Sequence, residues 1–377
     1  MRIRYGLIGS GMMGQEHIRN LALLEGCEVT AISDPDANMR ALSIAATGGR
    51  ARGFAGHREM LAAGICDALI IASPNDTHYG VLLDVLGSDL PILCEKPLCT
   101  TSGDCRDILR LTGARASPVW VAMEYRYMPP VRRLLSELTR GTAGVPRMMS
   151  VREHRFPFLE KVGDWNRFNA RTGGTLVEKC CHFWDLMRLA LGSNPRRVFA
   201  SAGVDVNHLD ETYAGHVPNI IDNAYVVVDF ENGTRGMLDL CMFAEGSRWQ
   251  QVISVTGESA RVDAKIPGAA RFSPGGRERA AEIEISRRAD KSVHREEIPV
   301  DPALLAAGDH HAATYYQHER FRDLILSGSG HPEVDVLDGL WSVALGEAAE
   351  ESAKTNRAVD VTVQDSSNLE PGRTKRR

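Results

Sequence analysis

No stretch of the chain approaches the ~20 consecutive apolar residues that cross a bilayer, which argues against a membrane-spanning helix. A cationic excess is missing too: 44 Lys and Arg stand against 49 Asp and Glu, for a formal net charge of −5. That balance gives no general attraction to nucleic acid or to an anionic membrane. The eight cysteines contain no C-x-x-C spacing, so no metal site is expected and reduced thiols in a cytoplasmic protein are the plain reading. No internal repeat or low-complexity block is visible. The first strand starts so close to Met1 that a secretory signal is not expected. The closing Lys375-Arg376-Arg377 reads as a solvated end rather than a nucleic-acid patch.

What the chain does have is concentrated in its first thirty-four residues. Arg2–Ile8 reads as a short buried strand, Gln15–Leu24 has the apolar spacing of a helix, and Cys27–Ser33 reads as a second strand. Between the first strand and the helix lies Gly9-Ser10-Gly11-Met12-Met13-Gly14. Gly9 permits the tight turn, Gly11 lets a pyrophosphate approach the backbone, and Gly14 lets helix and strand pack closely. The free N–H groups at the helix start then face the phosphates. Asp34 closes the second strand, where a carboxylate accepts both ribose hydroxyls of NAD and repels the 2′-phosphate of NADP. NAD is therefore the expected cofactor and NADP the less favoured one, with Arg40 the nearby cation that opposes this preference.

Further along, Asp67–Ala72, Pro91–Cys94 and Val119–Met123 read as strands alternating with helices, which predicts an α/β, doubly wound parallel sheet of the Rossmann kind. Its ligands lie beyond the carboxyl ends of the strands, where Ser10, Asp34, Pro74 and Lys96 fall. The pattern changes near Glu124. Arg147–Arg155, Val198–Asp205, Ala224–Phe230, Arg235–Phe243, Gln251–Thr256 and Glu282–Ser286 read as strands, with Glu231-Asn232-Gly233-Thr234 a hairpin turn. This second part is expected to be α+β with a mostly antiparallel sheet. At 377 residues two domains are the default. The division drawn is 1–124, 125–363 and a polar, disordered tail 364–377.

Two clusters carry chemistry. Lys96, just after a buried strand, is placed to polarise a substrate hydroxyl and stabilise an alkoxide, unless it is simply a solvated strand-end lysine. In the second, a helix starting near Thr175 would set Glu178, His182 and Asp185 on one face, a proton acceptor with a carboxylate on either side. Two plainer roles compete: a capping box in which Glu178 closes the first turn from Thr175, and a buried His182 satisfied by Asp185. Cys180 and Cys181 diverge by about 100° on a helix and read as packing residues.

Taken together, these motifs resemble the dehydrogenase family named after glucose–fructose oxidoreductase, inositol dehydrogenase and the rhizopine-catabolism protein MocA. The features that carry the resemblance are Gly9-x-Gly11-x-x-Gly14, Ser73-Pro74-Asn75-x-x-His78, Glu95-Lys96-Pro97, Tyr125-Arg126-Tyr127 and Gly173-Gly174 leading to His182-x-x-Asp185, with Ser327 to Gly339 near the end. The resemblance implies a Rossmann domain followed by an α+β domain whose large open sheet builds a homodimer or homotetramer. It places the catalytic lysine on Lys96, the catalytic aspartate on Glu178 and the histidine on His182. Glu178 departs from the usual Asp by one methylene, and Cys180 from a usual Gly. The resemblance puts Ser73, Pro74, Asn75 and His78 by the nicotinamide ribose, and Glu95 and Pro97 in the cofactor-side turn. The implied reaction moves a hydride from a ring CH–OH of a sugar or cyclitol to NAD. Arg126, Trp165, Asn166, Asn169, His311 and Tyr315 are candidate contacts to that small polyhydroxylated substrate, though packing competes for His311 and Tyr315. An enzyme using NAD transiently (a tightly held cofactor, or a glycosidase) and a non-catalytic cofactor sensor are the alternatives.

Overall fold

The computed structural model describes residues 2–272, 276 and 279–363; the tail 364–377 lies outside the described residues. The first sheet comprises β1 (Ile3–Ile8), β2 (Cys27–Ser33), β3 (Arg52–Phe54), β4 (Ala68–Ile71), β5 (Ile92–Cys94) and β6 (Val119–Val121). They pair in parallel in the order β3-β2-β1-β4-β5-β6. Every residue of β4, β5 and β6 is buried, as strands covered by helices on both faces require. The order reverses between β1 and β4, which opens a crevice beyond their carboxyl ends.

A second sheet takes β7 (Pro146–His154), β8 (Pro195–Gly203), β9 (Asn223–Phe230), β10 (Arg235–Cys241), β11 (Gln251–Gly257), β12 (Ala260–Ile266), β13 (Ala281–Arg287), β14 (Val293–Ile298) and β15 (Val359–Asp360). Their order is β14-β13-β12-β11-β7-β10-β9-β8-β15, antiparallel except for the β7–β10 pair. Along β9, Ala224, Val226, Val228 and Phe230 turn into the core while Tyr225 and Val227 stay exposed. β14 has no counterpart in the sequence reading. Its Val-His-Arg-Glu-Glu-Ile run is an exposed edge strand without apolar alternation.

The chain then returns to the first sheet. Helix Ala313–Ser327 places Phe321, and helix Val336–Thr355 places Val336, Leu340 and Val343, in the same buried cluster as β1, β4, β5 and β6. Farther along that second helix, Ala344, Leu345, Ala348 and Ala349 belong to the core under the large sheet. The helix is thus a wall common to both cores. Its close approaches need small residues: a Cβ on Gly346 would stand 2.7 Å from the Leu176 carbonyl oxygen.

Near the end of this helix Glu350 is buried, and its Oε1 accepts the Leu176 amide at 2.9 Å. Burial pushes its carboxyl up to about 7. A raised carboxyl pKa means that the folded chain holds the proton more tightly than the unfolded one. Stability is therefore lost as pH rises from the ordinary value through about 7. Glu350→Gln keeps an acceptor for Leu176 and removes the buried charge. Thermal unfolding should show the variant more stable at pH 8, by at most about 3 kcal/mol, and indistinguishable from wild type near pH 4.

Candidate active site

The turn after β1 is built by steric necessity. Gly9 has φ +88°, and a Cβ there would lie 2.4 Å from the Ser73 nitrogen. A Cβ on Gly14 would lie 2.4 Å from the Gly9 carbonyl oxygen. At Gly11 the opposite holds: a Cβ meets nothing within 4 Å, so the space over that residue is open. Helix Met12–Leu23 begins there with no side-chain cap and no acid in its first turn. Its amides are left for an anionic ligand. Asp34 Oδ2 accepts the Ser10 amide at 2.7 Å and the Ser10 hydroxyl at 3.0 Å, which pins the glycine turn to the end of β2. Arg40 donates to the Asp34 backbone carbonyl at 2.5 Å, beside rather than in front of the carboxylate. Across the crevice the side-chain amide nitrogen of Asn75 is buried with no partner among the described residues. An open cradle, free amides, a terminal acid and an orphan donor fit a dinucleotide.

His78 is placed differently from the reading that put it beside the ribose. It is fully buried, with Nδ1 2.8 Å from the Pro97 carbonyl oxygen and Nε2 3.0 Å from that of Ser73. It therefore clamps the Ser73 and Pro97 turns from beneath. Ser73 Oγ accepts the Thr77 hydroxyl at 2.7 Å, and the Lys96–Pro97 peptide is cis.

Lys96 reaches from the end of β5 to the second cluster. Its ammonium donates to the Glu178 backbone carbonyl at 2.8 Å and lies 3.8 Å from Glu178 Oε1. The reason lies in the helix. In place of the single helix expected from Thr175, the chain forms Thr175–Glu178 and Cys181–Leu191, interrupted at Lys179-Cys180. The break leaves the Glu178 carbonyl for Lys96. No capping box forms, since Thr175 donates instead to the Ile221 carbonyl at 2.6 Å and the Glu178 carboxylate also faces Lys161 at 3.6 Å. Burial is the largest single influence and works against the Lys96 ammonium, but the surrounding negative groups, the Glu178 carboxylate first, together outweigh it and the pKa is raised. Burial works equally against Glu178, and Lys96 followed by Lys161 hold it below the ordinary range.

His182 stacks face to face on Tyr125, ring centres 4.0 Å apart, and its Nδ1 has no partner among the described residues. Burial first, then Lys96, drives its pKa well below the ordinary value, so the ring is neutral. The expectation that Asp185 orients His182 is overturned. Asp185 is held by Arg126, at 2.6 Å from Nε and 2.5 Å from the second nitrogen. For the same reason Arg126 is no substrate contact: it also donates to the Glu333 carbonyl at 2.6 Å and faces Asp338 at 3.4 Å.

Other candidates divide similarly. Trp165 stands beside the site, with the Lys161 ammonium 4.4 Å from its ring centre. Asn166 is withdrawn, because its amide donates to the Leu159 carbonyl at 2.9 Å and its oxygen accepts from Arg167 at 3.3 Å. Asn169 has a buried side-chain oxygen with no partner among the described residues. Tyr315 packs edge-on against Tyr316, ring centres 5.5 Å apart, in the field of Glu319, Arg322 and Cys27 at the start of β2, the end opposite the cleft. It does not join the site. His311 does lie near it, lining a small open pocket with Tyr125, Arg155, Gln250 and His310. Burial pushes His311 down to about 4. Cys180 and Cys181 are fully buried packing residues, the second pushed up to about 12 by burial.

Sequence reasoning missed four groups. Lys161 comes from an irregular segment without periodicity. The Tyr125 hydroxyl accepts from Lys179 at 2.6 Å, and Lys179 pairs with buried Glu153 at 3.1 Å. His310 lies 2.7 Å from Glu16. Burial opposes its charge, but Glu124 and Glu16 push it up to about 9.

Residues 3–123 match the oxidoreductase family's NAD-binding Rossmann fold, and residues 136–361 match the same family's C-terminal alpha/beta domain. The rhizopine catabolism protein MocA of Rhizobium meliloti is 29% identical over 258 residues, 68% of this chain and 77% of MocA. An inositol 2-dehydrogenase of Acidothermus cellulolyticus is 30% identical over 203 residues, 53% of this chain and 57% of that protein. The chain thus spans little more than half of the latter. Among solved structures, levoglucosan dehydrogenase in complex with NADH and levoglucosan aligns with a TM-score of 0.79 and 19% identity, over 96% of this chain and 100% of that one. An oxidoreductase of Agrobacterium radiobacter in complex with NAD+, L-tartaric acid and magnesium aligns with a TM-score of 0.77 and 18% identity, over 96% and 99%. At such identities these two establish the fold alone. The open space over Gly11 provides a check on the cofactor cradle: Gly11→Ala should leave the melting temperature unchanged and weaken NAD binding at least about tenfold, or 1.4 kcal/mol, by calorimetry. With both halves matched in order, the chain belongs to the glucose–fructose oxidoreductase, inositol dehydrogenase and MocA family of oxidoreductases, and NAD is its cofactor.

Proposed function

We propose that the protein is an NAD-dependent dehydrogenase that oxidises a ring CH–OH of a sugar or cyclitol. The observation that carries this reading is the meeting of a charged lysine and a neutral histidine at the mouth of the cofactor cleft. Lys96 is fixed 2.8 Å from the Glu178 carbonyl oxygen, while His182 is buried with a depressed pKa. Bound NAD supplies the hydride acceptor at C4 of its nicotinamide. The Lys96 ammonium donates to the substrate hydroxyl oxygen and stabilises the negative charge that develops there. His182, neutral at physiological pH, takes the hydroxyl proton. Glu178 holds both Lys96 and Lys161, and the Tyr125 ring fixes the plane of His182. Lys161, beside Glu178 and Trp165, and His311, in the pocket lined by Tyr125, are the contacts assigned to the polyhydroxylated ring. All eight thiols are free, which suits a reducing, cytoplasmic compartment.

Self-association belongs to the same proposal. Phe199, Tyr225, Val227 and Met237 are exposed on neighbouring strands β8, β9 and β10, with Phe199 and Met237 both registered on Val227. An apolar row of this kind on an open sheet face suits a second copy of the chain. Val227→Arg should shift the sedimentation coefficient to that of a single chain without changing far-ultraviolet circular dichroism.

Incubation with NAD and a panel of inositols, aldoses and anhydrosugars, followed by NADH absorbance, tests the reaction. NAD consumption with one polyol is expected, and a stronger response with NADP would overturn the role given to Asp34. Lys96→Ala and His182→Ala should each lower kcat/KM by about 10²-fold or more. The acid limb of the kcat/KM profile should lie below about 6.5, the ordinary histidine value. A depressed His182 keeps its base form as pH falls and loses it only on crossing the lowered value. A limb at or above the ordinary value would remove His182 from the role of base.

A further inference from the structure

Behind Lys96 runs a buried line of side chains with no part in the chemistry above. Glu95, 4% exposed, uses Oε2 to accept the Lys96 backbone amide at 3.1 Å. Its Oε1 lies 3.0 Å from His17 Nε2, and His17 Nδ1 lies 2.9 Å from His318 Nε2. Both histidines are fully buried, their rings edge to face at 5.0 Å. An ionised carboxylate only accepts hydrogen bonds, so His17 Nε2 carries a proton toward Glu95. The three residues come from three separate elements. His17 is on the helix that starts at the glycine turn, Glu95 follows β5, and His318 is on helix Ala313–Ser327.

Resting on the dehydrogenase reading of Lys96, we infer that His17 is a positioning residue that acts through Glu95 on Lys96, with His318 fastening the line to the C-terminal helix. Burial drives the Glu95 carboxyl toward its neutral form, and the His17 contact, aided by Lys96, keeps it ionised and below the ordinary range. Ionised Glu95 in turn adds to the negative surroundings of the Lys96 ammonium, with Glu178 and Glu124. Lys161 and Lys179 oppose it from the other side. Near His17 itself stand Glu95, His318 and Glu16. Without the His17 donor, Glu95 takes a proton, its charge beside Lys96 disappears, and the lysine amide loses its charged acceptor.

The test reads Lys96 directly. Full-length protein is labelled with acetic anhydride across a pH series, and mass spectrometry of the Lys96 peptide gives the labelling midpoint without any substrate. His17→Leu should lower that midpoint by about one pH unit, a tenfold change in proton affinity. It should also lower kcat about tenfold, with KM for NAD and polyol within twofold of wild type. His17→Gln, which keeps an amide donor toward Glu95, should restore most of both. His318→Leu should shift both in the same direction by less, and it decides the matter if His17→Leu does not fold. An unchanged midpoint in a folded His17→Leu or His318→Leu protein overturns the inference, whether or not kcat falls, because a merely structural histidine leaves the titration of Lys96 alone. Turnover that survives Lys96→Ala would instead overturn the dehydrogenase reading and leave the labelling result standing.

Discussion

The contact on which the site depends is between a lysine side chain and a main-chain oxygen. Lys96 leaves the first sheet and donates to the Glu178 carbonyl at the start of the large-sheet half. A continuous helix would spend that carbonyl on its own ladder four residues later. The interruption at Lys179-Cys180 releases it. One irregularity therefore joins the two halves at the place where the cofactor cleft and the substrate space meet. The Glu178 carboxylate, facing Lys96 and Lys161 together, makes burial of two cations tolerable.

Around that contact, buried charge is arranged in small closed groups. Arg126 holds Asp185 and faces Asp338, Lys179 is paired with Glu153, and His310 with Glu16. His182 stands apart from all of them. It is held by ring stacking on Tyr125 rather than by a carboxylate, which leaves it neutral and free of a proton instead of locked as a cation. A histidine paired with Asp185 would be the stronger base, because the carboxylate stabilises the imidazolium, but it would already carry its proton over more of the neutral pH range.

The parts legible in the sequence follow from local rules. The glycine turn, the acid at the end of β2 and the apolar runs of β4, β5 and β6 each have a steric or burial reason that needs no distant partner. Glu178 and His182 were found by helical spacing, although the helix that suggested them is broken between them. What spacing could not show is which neighbour a side chain chooses. Arg126 and Asp185 are 59 positions apart and choose each other, so a substrate contact and a histidine orienter both became a structural tie. Asn166 and Tyr315 failed likewise, one spent on its own loop and the other turned away along its helix. Lys161 left no signal because an irregular segment has no period to read.

Helix Val336–Thr355 has a consequence for how the molecule can be divided. Its first half completes the core of the nucleotide-binding sheet and its second half completes that of the large sheet. A fragment ending after β6 would expose Leu98, Val121 and their neighbours where Gly339 and Leu340 now press. The nucleotide-binding part is therefore contiguous in sequence only up to a point, and its last wall is delivered more than two hundred residues later. Exchange of this lobe between relatives would succeed as an insertion of the intervening sheet into a host, not as a cut at a linker.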